Sequence, residues 1–195
     1  MRSLQFIQTI GAGAFGTVYL CRVSTPRGFQ KQAALKVLHG QANAGMFLTR
    51  IRDEARLLGL LRDSAIIKVL DLLEIHGRQA VLMEYVEGAD LESIVEQEGC
   101  PPPRALAEIT AVVAGALSRA HLAVHPTTGE ALNVIHRDVK PANIMVGREG
   151  AVKLLDFGVA RARFDARESF TGQLVLGTLN YMAPEYVVTG EVTTA

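Results

Sequence analysis

Cysteine is scarce in this chain, charge of either sign is not in excess, and no apolar run is long. Each shortage removes a class of protein. There are two cysteines, Cys21 and Cys100. They lie far apart and form neither a C-x-x-C pair nor a metal-ligand spacing, which excludes a disulfide framework and suits free thiols in a reducing compartment. Lysine plus arginine number 20 and aspartate plus glutamate 20, so no field of one sign argues for nucleic acid or an anionic membrane as partner. The most apolar helical stretch, 106–124, is interrupted by Glu108, Arg119 and His121 and is too polar to span a bilayer. The first residues lack the apolar core of a signal peptide. No internal repeat or low-complexity tract is present. The composition therefore points to a soluble, cytoplasmic segment without membrane contact, although a longer parent could carry an anchor beyond residue 195. With 195 residues, 49% of them hydrophobic, the chain can fill one large domain or two small lobes.

What is present falls into two halves. Leu4, Phe6 and Ile10 precede a glycine cluster, a β-rich run resumes at 17–20, and another covers 33–38, with Pro26-Arg27-Gly28 as the turn. From 49 to 61 the pattern is helical, with Ile51, Ala55, Leu58 and Leu61 at spacings of four, three and three. Segments 66–75 and 79–86 read as a hairpin around His76-Gly77, after which Gly88 breaks the chain. A short helix starts near Asp90. Pro101 to Pro103 lead into a long helix with Leu106, Ile109, Val113, Leu117 and Ala120 on its apolar face. Residues 125–130 read as a polar loop. Short strands follow at 144–146 and 152–155 around the turn Arg148-Glu149-Gly150, and 160–177 reads as a loop. Strands with one helix, then mostly helix with small strand pairs, make an α+β chain of two parts joined near 84–88.

Two motifs carry chemistry. Gly11-Ala12-Gly13-Ala14-Phe15-Gly16-Thr17-Val18 fits G-x-G-x-x-G-x-V. A dinucleotide-binding fold also uses G-x-G-x-x-G, but it needs a helix after the third glycine and an acidic residue about 20 positions on. Here a strand-like run follows, and Lys36 stands where the acid would be. The second motif is His136-Arg137-Asp138-Val139-Lys140-Pro141-Ala142-Asn143, which puts a carboxylate, an ammonium and an amide on one short loop.

With that octet the chain resembles the eukaryotic-type, or Hanks-type, serine/threonine protein kinases, most closely their bacterial members. Asp156-Phe157-Gly158 lies 18 residues after Asp138, and Ala183-Pro184-Glu185 closes an activation segment, in the family's order. The resemblance runs from about residue 10 to the end. It implies a two-lobed kinase-like fold, with a β-rich lobe over 1–86 and the first part of a helical lobe over 87–195. It also implies transfer of the γ-phosphate of ATP, with Mg²⁺, to protein Ser/Thr hydroxyls in a signalling role. By the same resemblance Asp138 orients the substrate hydroxyl, Lys140 neutralises the transferring phosphoryl, and Asn143 and Asp156 hold Mg²⁺. Lys36 meets the α- and β-phosphates, paired by Glu54, and Thr178 contacts the catalytic pair. Gly11, Gly13 and Gly16 cover the phosphates. Ile10, Val18, Ala34, Met145 and the gatekeeper Met83 enclose adenine, with Glu84 and Val86 at its edge and Asp90 at the ribose. Leu58, His136 and Phe157 match members of the spine that links the lobes. Lys140 after Asp138-Val139 marks the Ser/Thr class. Arg137 marks control by activation-segment phosphorylation, with Ser169 and Thr171 as candidate sites and self-phosphorylation through dimerisation as a route.

Departures are few. Ala33 replaces a valine, Leu179 stands where proline is common, and 125–130 lengthens the approach to the catalytic loop. The chain stops ten residues past Glu185, before the family's later helices, so this segment alone is expected to be weakly active or inactive. The alternatives are a nucleotide-binding pseudokinase scaffold, against which Lys36, Asp138 and Asp156 are intact, and a small-molecule kinase, against which the glycine loop and Ala183-Pro184-Glu185 argue.

Overall fold

Among the described residues of the first half, alternating apolar residues and turn chemistry at fixed points build one antiparallel sheet. The computed structural model describes residues 3–13, 16–39, 58–157 and 180–181. Strands β1 (Ser3–Gly13), β2 (Gly16–Ser24), β3 (Gln30–Leu38), β4 (Val69–Ile75) and β5 (Arg78–Glu84) pair in the order β1-β2-β3-β5-β4. The β4–β5 turn is His76-Gly77, both at positive φ (50° and 75°). A two-residue hairpin demands such angles because its twist must match the strands. Glycine adopts them freely, whereas His76 carries the strain of a side chain there.

Because side chains alternate along a strand, the register sorts this sheet into two faces. Cys21, Val23, Ala33, Leu35, Ala80 and Leu82 form a buried cluster on one face. Cys21 is a free thiol, pushed up in pKa by desolvation. On the other face Val18 stands opposite Lys36, Leu20 opposite Ala34, Lys36 opposite Val81, and Ala34 opposite Met83.

The second half is built around a smaller sheet, β6 (Gly88–Asp90), β7 (Ile144–Gly147) and β8 (Val152–Leu154), in the order β6-β7-β8. Gly88 does not break the chain as its residue type suggests. It opens β6, paired with Gly147, because a Cβ there would stand 2.1 Å from the Val146 carbonyl oxygen. Helix α1 (Leu91–Glu98) starts at Asp90, whose carboxylate accepts the Ser93 N–H at 2.8 Å and the Ser93 hydroxyl at 2.7 Å, satisfying an otherwise orphaned helix N–H. Helix α2 (Pro103–His121) begins on a proline whose missing N–H costs nothing at that position. Its buried stripe is Val113, Ala116 and Ala120, with Leu106, Ile109 and Leu117 half-buried. Residues 125–130 are more than a polar loop. They close a hairpin bridged at Val124 and Ala131, with the His125 Nδ1 accepting the Thr127 and Thr128 N–H groups at 3.3 and 3.2 Å.

The chain divides into two compact units, Met1–Gly59 with Lys68–Tyr85, and Leu60–Ile67 with Val86–Ala195. Among the described residues no helix is long and apolar enough to cross a membrane.

Candidate active site

In the second unit a 3₁₀ turn, Pro141–Asn143, brings the loop residues together. Asn143 is buried at 7% exposure. Its Nδ2 donates to the Asp138 carbonyl at 2.7 Å and to the Asp138 Oδ2 at 3.0 Å. Lys140 Nζ lies 3.2 Å from the same carboxylate oxygen. Asp138 is thus fixed by an amide and an ammonium on its own loop, and such charge-assisted contacts are the stronger kind.

His136, 2% exposed, anchors this loop from below. Its Nε2 is 2.8 Å from the Leu155 carbonyl oxygen, and its Nδ1 accepts the Asp138 N–H at 3.2 Å. A carbonyl can only accept and an N–H can only donate, so the ring is the neutral Nε2–H tautomer. Burial lowers its pKa, and the Leu155 carbonyl and the Asp138 and Asp156 charges only partly offset that. The ring stacks at a tilt on Phe157, centroids 4.5 Å apart. The native ring resists protonation while the unfolded chain accepts a proton at about pH 6.5. Stability therefore falls as pH drops below that value, until the native ring also titrates. Thermal melts from roughly pH 7.5 to 5.5 should show this loss, and His136→Asn should reduce the slope by up to one proton, about 1.4 kcal/mol per pH unit. An unchanged slope would count against a neutral native ring.

Asp156 follows β8 with φ 51°, and Arg137 precedes Asp138 with φ 66°. Aspartate tolerates this left-handed region, whereas for arginine it costs roughly 1–2 kcal/mol, a strain typical of functional loops. Asp90 and Met145 face each other across β6 and β7, and Val86 packs near Gly147.

In the first unit, Val18, Ala34, Lys36 and Met83 share one sheet face, with Lys36 9% exposed. Ile10 sits at a register shift in β1 and is 41% exposed. The Glu84 N–H donates to the Lys68 carbonyl, and its Oε1 accepts the Lys68 N–H, both at 2.9 Å. The three glycines of the loop differ. A Cβ on Gly16 would meet the Val37 carbonyl oxygen at 2.4 Å, so the sheet itself requires that glycine. Among the described residues, Gly13 has no atom within 4 Å of its Cβ position, and Gly11 only ordinary contact with Val18. Glu54, Ser169, Thr171, Thr178 and Ala183-Pro184-Glu185 lie outside the described residues.

Sequence reasoning missed Gly88 and the ion pair between Asp63 and Arg119. The pair spans 56 positions and leaves no local signal.

A β-rich unit with a glycine loop and buried lysine, and a second unit with a carboxylate–ammonium–amide loop, define a protein of the kinase class. Comparison with known proteins makes this specific. Residues 4–195 match the protein kinase domain family. The chain is 36% identical over 186 residues to the serine/threonine-protein kinase PknL of Mycobacterium tuberculosis, covering 93% of this chain and 42% of PknL. It is 36% identical over 181 residues to the serine/threonine-protein kinase PknB of Mycobacterium leprae, covering 90% of this chain and 27% of PknB. The crystal structure of the M. tuberculosis PknI kinase domain superposes with a TM-score of 0.64 at 32% identity, over 80% of this chain and 59% of that one. The chain belongs to the protein kinase domain family, in its bacterial Hanks-type serine/threonine branch, and it spans less than half the length of these curated relatives.

Proposed function

We propose that this chain performs the phosphotransfer step of a serine/threonine protein kinase, moving the γ-phosphate of ATP to a protein Ser or Thr hydroxyl. The observation that carries the reading is the Asp138 carboxylate, held 3.2 Å from Lys140 Nζ and 3.0 Å from Asn143 Nδ2 on one short loop. A carboxylate so fixed orients the incoming hydroxyl and accepts its proton as the oxygen attacks phosphorus. The neighbouring ammonium offsets the charge that spreads onto the phosphoryl oxygens.

The residues fit a metal-bound nucleotide. Asp156 and Asn143 offer a carboxylate and an amide oxygen, the hard donors that Mg²⁺ takes alongside phosphate oxygens and water. Bound there, Mg²⁺ supplies charge neutralisation of the phosphates. Among the described residues Gly11 and Gly13 have no packing partner that demands glycine, which suits backbone that lies against phosphate. Lys36 is assigned to the α- and β-phosphates, with Glu54 as its partner and Thr178 beside the catalytic pair. Val18, Ala34, Met83, Ile10, Met145, Glu84 and Val86 are assigned to adenine and Asp90 to ribose, where its carboxylate also caps α1. Arg137 is exposed beside Asp138 and is assigned to a phosphate placed on Ser169 or Thr171 by self-phosphorylation.

Incubating the full chain with MgATP and a serine- and threonine-rich protein tests this. Phosphoserine or phosphothreonine should accumulate, at a low level for this segment alone, and EDTA should reduce it to background. ATP consumption without protein-bound phosphate would overturn the reading in favour of a small-molecule acceptor.

A further inference from the structure

Segment 60–67 carries none of the residues assigned to the chemistry, yet it is fastened more firmly than a connection requires. Ala65, Ile66 and Ile67 are buried. The Ile67 N–H donates to the Leu154 carbonyl at 3.0 Å, and the Leu154 N–H to the Ala65 carbonyl at 2.7 Å. Ile66 and Leu154 thereby form an isolated parallel bridge, which seats the segment against the edge of β8.

Asp63 fixes the start of that segment. Its Oδ1 accepts the Ala65 N–H at 2.8 Å, and its Oδ2 accepts from Arg119 Nε on α2. Arg119 reaches it by lying over Gly115, where a Cβ would come within 2.9 Å of Nη1. An exposed ion pair contributes little, but this one differs. The Asp63 side chain is only 8% exposed, its other oxygen is committed to backbone, and α2 carries a glycine beneath the guanidinium at a helix-propensity cost of roughly 1 kcal/mol. The Arg119 hydrogen bond is the main cause that lowers the Asp63 pKa.

β8 leads directly into the site. The residue after it, Leu155, donates its N–H to the Asn143 carbonyl at 2.8 Å and accepts His136 Nε2 at 2.8 Å. His136 in turn holds the Asp138 N–H. We propose that Asp63 and Arg119 are positioning residues, a clamp that seats 65–67 on β8 and so fixes where Leu155 holds the catalytic loop. The proposal rests on the phosphotransfer reading above.

Arg119→Met keeps the side-chain stem and removes the charge. In the full chain it should lower kcat about tenfold, with the KM for ATP within about twofold of wild type. It should also speed amide hydrogen exchange at Ile67, Leu154 and Leu155. Arg119→Lys should recover most of both. Arg104→Met, which breaks the exposed Arg104–Glu108 pair on the same helix, should move neither. Unchanged kcat and exchange in Arg119→Met would overturn the clamp. So would a kcat loss that merely tracks melting temperature and vanishes on cooling. If the wild type transfers no phosphate, the phosphotransfer reading fails separately, and unchanged exchange at Leu154 and Leu155 in Arg119→Met still overturns the clamp.

Discussion

Asp138→Asn should cut protein phosphorylation about a thousandfold, within the range of a positioned general base, while leaving the fold intact. The substitution is close to isosteric. The Asn143 Nδ2 bond to the residue 138 carbonyl and the His136 Nδ1 bond to its N–H use backbone atoms and survive. What disappears is the negative charge that partners Lys140 and that is proposed to accept the hydroxyl proton. Steady-state phosphorylation of a protein substrate and a thermal melt, measured together, check this. The melting temperature should stay within about 3 °C, because a partly exposed ion pair contributes at most about 1 kcal/mol. Activity within tenfold of wild type would remove Asp138 from the proton transfer.

Gly88→Ala should be among the most destabilising single-methyl changes in the chain. The added Cβ would meet the Val146 carbonyl oxygen at 2.1 Å and the Gly147 Cα at 2.7 Å. Both are backbone atoms of the paired strand β7, so no side-chain rotation relieves the clash and β6 must separate from β7. Overpacking of this kind costs about 3 kcal/mol, a fall of roughly 6–12 °C in Tm for a chain of this size. Gly59, in the helical turn at 58–60 with no atom of the described residues within 4 Å of its Cβ position, gives the contrast, and Gly59→Ala should hold or raise Tm. Equal melts for the two variants would refute the close-approach account of Gly88.

Much of the fold was legible because its signals are local. The β-rich runs before and after the glycine cluster, the His76-Gly77 turn and the proline start of α2 each lie within a few residues. The closeness of Asp138, Lys140 and Asn143 was legible for the same reason, since the three lie within one octet and meet across the loop that ends in the Pro141–Asn143 turn. Other features have no such signature. Strand β6 is three residues long, too short for a period to show. Ile66 pairs with Leu154, and Asp63 with Arg119, across long stretches of chain. Gly16 reads as a phosphate-loop glycine in the motif, and only the β2–β3 register reveals that the Val37 carbonyl also requires it.

The pairing of 65–67 with β8 also has a consequence for synthesis. Ile67 leaves the ribosome 87 residues ahead of Leu154 (154 minus 67). At about 5–20 residues per second, its hydrogen-bonding partner follows roughly 4–17 s later. During that interval the apolar Ala65-Ile66-Ile67 edge is bare, in a nascent chain whose β4–β5 hairpin can already close. The first unit is therefore interrupted by a segment that belongs to a part not yet made, and a gene cut between residues 85 and 86 would leave that segment on the wrong fragment.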